Sequence, residues 1–265
     1  MKFIGIIPAR YASTRFPAKP LAILGGKTVI QRVYEQVAGV FDEAYVATDD
    51  ERIEAAVKAF GGKVVMTSVN HKSGTDRCYE AYTKVGEGYD VVVNIQGDEP
   101  FIQLSQLEAV KACFEDETTQ IATLVKPFTP EDGWEALENV NSPKVVVNKN
   151  MNALYFSRSI IPYQRNAEKK DWLKGHVYYK HIGLYAYRVD VLKEITSLPQ
   201  SSLEVAEAAA EGIHEVFPKC EIVKVDIADG GEGTMDALRH TLGGEKIFLT
   251  VSDPLGRPVE ASYVI

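Results

Sequence analysis

Residues 90–100 read DVVVNIQGDEP. Val91, Val92, Val93 and Ile95 make a nearly continuous apolar run, the pattern of a strand covered on both faces. Such strands belong to parallel sheets flanked by helices, whereas a half-solvated strand would alternate apolar and polar residues. The run breaks at once into a polar turn carrying Asp98 and Glu99. In an open parallel sheet, ligands bind beyond the carboxyl ends of the strands, so these acids stand where a ligand would lie.

The same rhythm continues on both sides. Residues 3–7 form a short apolar run at the start of the chain. TVIQRVYEQVAGV, 28–40, places Val29, Ile30, Val33 and Val37 on one helical face. EAYVATDD, 43–50, reads as a strand ending in a helix cap at Asp49 or Asp50. The helix that follows gathers Ile53, Ala56, Val57 and Phe60 on one side and stops at Gly61. KVVMT, 63–67, is a further strand, and a helix is expected near 75–85. Ser105 and Glu108 form a capping box for a helix with Leu107, Val110 and Phe114 inward. Strand and helix in alternation mean an α/β fold with a parallel sheet. Between 120 and 190 the pattern changes to strand-like runs (IATLVKPF, PKVVVNK, ALYFSRS, HIGLYAYR) between charged loops, which predicts a mixed second lobe folded against the first sheet. Thr129-Pro130-Glu131-Asp132 reads as a helix start.

Composition narrows the function. The chain has 265 residues, 45% hydrophobic and 25% charged, with a formal net charge of −8. That acidic balance excludes a general nucleic-acid binder and makes any anion site local. Cys78, Cys113 and Cys220 form neither a metal spacing nor a disulfide framework, and a reducing cytoplasm fits them. The apolar start is cut short by Pro8 and Arg10, too early for a signal peptide, and no segment has the length of a membrane span.

The local anion site has a candidate. PARYASTRFPAKPL, 8–21, follows the first strand and holds Arg10, Arg15 and Lys19, with Ser13 and Thr14 between them and three prolines to stiffen it. Guanidinium forks and an ammonium suit phosphate oxygens, and a stiff loop loses less freedom on binding. Paired with Asp98 across the same sheet edge, the loop suggests a triphosphate with Mg²⁺, the loop holding the phosphates and Asp98 the metal. A solvated basic loop and a helix-capping aspartate are the bland alternatives.

The pattern PARxxSTRxPxKxL, then VATDD (46–50), HKSGTDR (71–77) and NIQGDEP (94–100), resembles the sugar-acid cytidylyltransferases, and most nearly those acting on 3-deoxy-manno-octulosonate (Kdo). NSPKVVVN (141–148), ALYFSRSIIPY (153–163) and KHIGLYAYR (180–188) agree, so the resemblance runs from residue 1 to about 204. It implies a Rossmann-like nucleotidyltransferase fold of the nucleotide-diphospho-sugar transferase type. It implies transfer of CMP from CTP to the anomeric hydroxyl of Kdo, releasing pyrophosphate, in cytoplasmic lipopolysaccharide synthesis by a homodimer using Mg²⁺. Carried over by position, Arg10, Ser13, Arg15 and Lys19 are implied to grip the CTP phosphates. Ser73, Gly74, Thr75 and Gln96 are implied to complete the nucleotide pocket, with Asp98 as the metal ligand at the reaction centre. Arg158, His181 and Tyr185 are implied to receive the sugar acid. Asp76 and Arg77 are read as starting a helix. Another sugar acid, such as neuraminate, stays open as the acceptor, as does CTP binding without turnover.

From about residue 201 the sequence departs from that family. SSLEVAEAAAEG, ADGGEGT (228–234) and DPLGRPVEA (253–261) resemble the early part of a bacterial glycerate kinase. The expected division is therefore a cytidylyltransferase-like domain at 1–204 and a foreign segment at 205–265, an apparent chimera. In that segment Leu203, Ala206, Ala210 and Ile213 predict an amphipathic helix, EIVKVDIA a strand, and Asp229 a remote substitute for a metal carboxylate. Ending on the apolar SYVI, the segment reads as a fragment of a larger domain.

Overall fold

The computed structural model describes residues 1–11, 18–71, 73–86, 88–198, 246–252 and 258–264. The chain divides into two compact units, Met1–Leu198 and Pro199–Ile265. In the first, β1 (Phe3–Ala9), β4 (Glu43–Thr48), β5 (Val64–Met66) and β6 (Val91–Asn94) lie parallel in the order β5-β4-β1-β6. A small hairpin, β2 (Ile23–Leu24) with β3 (Lys27–Thr28), precedes the first helix. Helices α1 (Val29–Ala38), α2 (Glu51–Ala59), α3 (Gly74–Val85) and α4 (Leu104–Ala112) follow successive strands. All residues of β6 are buried, as an apolar run covered on both faces requires. Val29, Ile30, Val33 and Val37 of α1 are buried, as their spacing predicts, and Thr28 caps the helix by accepting from the Gln31 N–H.

The mixed half is continuous with the parallel half rather than folded against it. β10 (Tyr179–Arg188) pairs antiparallel with β6, and β7 (Ile121–Pro127), β8 (Lys144–Val147) and β9 (Ala153–Ser157) extend the same sheet antiparallel. β6 explains this: β1 occupies one of its edges, and its other edge is completed by β10 instead of being covered by a second layer. β9 ends the order β6-β10-β8-β9. Short helices α5 (Gly133–Glu138) and α6 (Trp172–Gly175) enclose a small aromatic cluster of Phe128, Trp172 and Tyr178, and α7 (Val189–Ser197) returns to the parallel half. Among the described residues, no helix is long and apolar enough to cross a membrane.

One cap differs from expectation, and another is decided between its two candidates. α4 is capped at Gln103, boxed with Gln106, and not by Ser105 with Glu108; the Gln103 N–H donates to the Gln106 side chain at 2.9 Å, two residues earlier than expected. α2 is capped by Asp50, which leaves Asp49 free to pair elsewhere. Thr129 starts a helical turn as predicted, closed by a box with Asp132. In the second unit, β11 (Lys246–Ser252) and β12 (Pro258–Val264) pair antiparallel, and the SYV of the closing SYVI lies in β12. The helix predicted from Leu203, the EIVKVDIA strand, Asp229 and the boundary at 204 lie outside the described residues.

Candidate active site

The carboxyl ends of β1 and β6 face one edge, and the turns leaving them form a cavity of about 130 Å³ lined by Pro8, Ala9, Arg10, Lys19, Pro20, Gln96, Gly97 and Asp98. Gly97 is required by close approach: a Cβ there would sit 2.8 Å from the Pro8 carbonyl oxygen. The two turns can therefore touch only with glycine at this position. The base of the basic loop is closed by the Ala18 N–H donating to the Tyr11 carbonyl at 2.9 Å. Ala18 reaches the following 3₁₀ turn, Lys19–Leu21, in a left-handed conformation (φ 59°). Of the loop residues implied to grip phosphate, Ser13 and Arg15 lie outside the described residues.

Lys19 and Asp98 meet directly, Nζ to Oδ2 at 2.6 Å, with side chains 42% and 47% exposed. Two opposite charges thus converge on the cavity and neutralise one another across it. Glu99 beside them is half-buried; burial and the neighbouring Asp98 charge raise its pKa, with Lys180 and Lys19 opposing.

Arg10 is held differently. Its Nη2 donates to the His71 carbonyl, a neutral acceptor that orients the guanidinium without cancelling its charge. His71 sits in the irregular stretch 67–71, which α3 clamps. Glu80 of α3 accepts from the His71 ring, from the Ser68 N–H at 2.9 Å, and pairs with Lys84 at 2.6 Å. Burial alone would raise the Glu80 carboxyl, but Lys84, Ser68 and His71 together push it down to about 2. A carboxyl depressed in the folded state contributes stability above its ordinary value of 4.5, and this is lost as pH falls toward about 2. The stability gap between wild type and Glu80→Gln is therefore expected to narrow between about pH 5 and about pH 2 in urea unfolding. A gap constant across that window would remove Glu80 as the clamp.

Ser73 caps α3 through a reciprocal box with Asp76. Gly74 follows, an added Cβ lying 3.5 Å from the Pro8 ring and 3.8 Å from the Asn94 amide, so the start of α3 stands over the ends of β1 and β6. Thr75 hydrogen-bonds the hydroxyl of Tyr187, whose pKa burial raises. Arg77 is wholly buried and donates to Asp49 at 2.7 Å and Thr67 at 2.6 Å, a structural tie.

Gln96 links the cavity to the antiparallel strands, its Nε2 donating to the Gly183 carbonyl at 3.1 Å. That contact falls at an irregularity of β10 between Ile182 and Tyr185. His181 and Tyr185 lie either side of it with ring centroids 5.1 Å apart. Burial lowers the His181 pKa and raises that of Tyr185, so both favour their neutral forms. His181 shares a hydrogen bond of 3.0 Å with the Thr123 hydroxyl, and Phe156 packs edge-on against its ring. Arg158, two residues further along the chain, donates from Nη1 to the Val140 carbonyl at 3.2 Å. Its own carbonyl accepts from Lys144 Nζ at 3.0 Å.

The structure therefore brings Arg10, Lys19, Gln96 and Asp98 into one cavity and joins it through Gln96 to the strand bearing His181 and Tyr185. His71, Glu80 and Lys144 were not anticipated. Lys144 carries a sequence signal as a lysine heading the apolar run KVVV, and His71 heads the HKSGTDR motif; Glu80 carries none.

A cation pair and a carboxylate stand at the carboxyl ends of parallel strands, under a helix start, where open α/β sheets bind their ligands. Residues 4–221 match the family model described as Cytidylyltransferase, and the chain belongs to that family. It is 89% identical over 208 residues to a 3-deoxy-manno-octulosonate cytidylyltransferase of Phocaeicola vulgatus, covering 78% of this chain and 82% of the relative. To the protein of the same name from Escherichia coli it is 48% identical over 211 residues, covering 78% and 80%. A solved structure of CMP:2-keto-3-deoxy-manno-octonic acid synthetase complexed with CTP superimposes with a TM-score of 0.70 at 38% identity, covering 91% of this chain and 98% of that one. Residues 196–265 match the Glycerate kinase family model, overlapping the first match at 196–221.

Proposed function

We propose that this chain transfers CMP from CTP to the anomeric 2-hydroxyl of Kdo, releasing pyrophosphate, as a step of lipopolysaccharide synthesis. The observation that carries this is the cavity where Arg10, Lys19, Gln96 and Asp98 meet beside β10. In the reaction a sugar oxygen bonds to the α-phosphorus, the bond from that phosphorus to the β-phosphate bridging oxygen breaks, and the hydroxyl proton is lost to solvent. Little covalent work falls on the protein; positioning and charge neutralisation are what it supplies.

Arg10 offers its remaining N–H groups to phosphate oxygens while the His71 carbonyl fixes its fork. Lys19 exchanges Asp98 for phosphate, which its exposure allows. Ser73, Gly74 and Thr75 line the nucleoside side at the start of α3, and Ser13 and Arg15 are assigned to the same grip. His181 and Tyr185, both neutral, give hydrogen bonds to sugar hydroxyls, and Arg158 takes the carboxylate.

The donor set also fits Mg²⁺. Among the described residues no three or more His, Cys, Asp or Glu gather into a metal cage. A hard cation of this kind is ordinarily held by one or two carboxylates with substrate phosphates and water. Asp98 is the residue assigned to hold it, and when bound the ion would neutralise charge on the phosphates. A homodimer is proposed through β9, which ends the sheet and leaves Leu154 and Tyr155 63% and 61% exposed. A dimer is the expected result of sedimentation velocity, and a monomer at every concentration would remove it.

The test of activity is pyrophosphate release on mixing the chain with CTP, Mg²⁺ and Kdo. Release with Kdo supports the proposal; release only with another acid, such as N-acetylneuraminate, moves the acceptor. The match of residues 196–265 to a second family favours one further reading, a chimera that binds CTP without turnover. CTP binding without release under all acids would establish it. Sequencing the source locus across codons 195–210 tests the junction, since uninterrupted coding in independent isolates refutes an artefact.

A further inference from the structure

We propose that Lys144 is a positioning residue for the sugar acid: its buried ammonium fixes the backbone at Arg158 and places a positive charge, unpaired with any carboxylate among the described residues, beneath the substrate's carboxylate. This rests on the function proposed above. Lys144 is 0% exposed in β8, between Ser157 of β9 and Lys180 of β10. Its Nζ donates to the carbonyls of Asn139 at 2.9 Å and Arg158 at 3.0 Å. Among the described residues it makes no ion pair; Glu138 acts on it only through space. Carbonyl dipoles satisfy N–H donors but do not cancel a full charge, so the arrangement is costly where an apolar side chain of equal length would pack.

What surrounds the ammonium supplies a reason for the charge. The Arg158 guanidinium returns to Val140, next to the Asn139 carbonyl that Lys144 holds, closing a ring through both cations. The His181 N–H donates at 2.9 Å to the Pro143 carbonyl, adjoining Lys144. Arg158 and His181, assigned to the carboxylate and the hydroxyls of the acid, are thus both tied to the backbone around one buried cation. Costly polar groups of this kind gather at functional sites, where activity is traded against stability.

Lys144→Met separates the two roles because it keeps length and removes charge. Urea unfolding and steady-state pyrophosphate release are measured on the full chain, with Lys144→Gln as a neutral variant that retains a donor. For Lys144→Met the expected result is an unfolding midpoint equal to or above wild type, with the KM for Kdo raised about tenfold and that for CTP within about twofold. Arg158→Ala should cost less in the Met background than in wild type, since contacting residues couple. Lys144→Gln should raise the Kdo KM by a smaller factor and serves alone if the Met variant does not fold. An unchanged Kdo KM in the folded variants, or equal rises for Kdo and CTP, overturns the proposal. If wild type releases no pyrophosphate, the activity proposal fails on that control. Calorimetric binding of Kdo to wild type and variant then decides Lys144 separately, equal affinity or no binding to either counting against it.

Discussion

Asp98→Asn is expected to lower kcat by at least about 10²–10³-fold, the scale at which removing one preorganised electrostatic partner acts in a transfer reaction. The substitution keeps volume and removes only charge, at a side chain 47% exposed that pairs with Lys19 at 2.6 Å. An exposed pair of this kind contributes about 0–1 kcal/mol to stability, so the unfolding midpoint should scarcely move. CTP affinity measured without metal should hold or rise, because Lys19 no longer has a competing carboxylate. The combination of intact fold, retained nucleotide binding and lost turnover is what a metal-holding carboxylate predicts. Calorimetry with CTP, with and without Mg²⁺, beside single-turnover kinetics would show it. Turnover within tenfold of wild type would place the metal elsewhere.

Asp98 could be found in the sequence because its signal is local: a buried strand ends and an acid follows. The parallel half of the sheet was legible for the same reason, since the apolar runs of β1, β4 and β6 and the faces of α1 and α2 are each contained in a dozen residues. The union of both halves in one sheet was not, because the β6–β10 pairing joins residues about ninety positions apart and depends on which edge is free. The positioning contacts behaved likewise. Glu80 looks like an ordinary surface acid with Lys84 four residues on, and nothing in that spacing announces the His71 ring or the Ser68 N–H. Ser105 and Glu108 fit a capping box as well as Gln103 and Gln106 do; the choice fell to where α4 meets the turn after Asp98.

Arg10 and Arg77 show how far composition alone can mislead, and Arg77 carries the largest expected loss of stability. Both follow or flank nucleotide motifs. Arg10 bonds a carbonyl at the rim of the cavity, whereas Arg77 is 0% exposed and spends its guanidinium inside the protein. It ties α3 to Asp49 beyond β4 and to Thr67 beyond β5, and among the described residues its Nε is without a partner. Truncation to alanine leaves Asp49, 17% exposed, without its countercharge and opens space in the packing under α3. Breaking a buried pair from one side typically costs about 3–5 kcal/mol, and Arg77→Ala is expected in that range by urea unfolding. Removing both charges should cost less than removing one, so Arg77→Met with Asp49→Asn should recover part of the loss; a double variant no more stable than Arg77→Met alone would deny the pairing. Arg10→Ala should leave the same unfolding curve unmoved and weaken CTP binding instead. A cost below about 1 kcal/mol for Arg77→Ala would mean that the stretch 67–71 is held by Glu80 alone, and that Arg77 is available to the nucleotide after all.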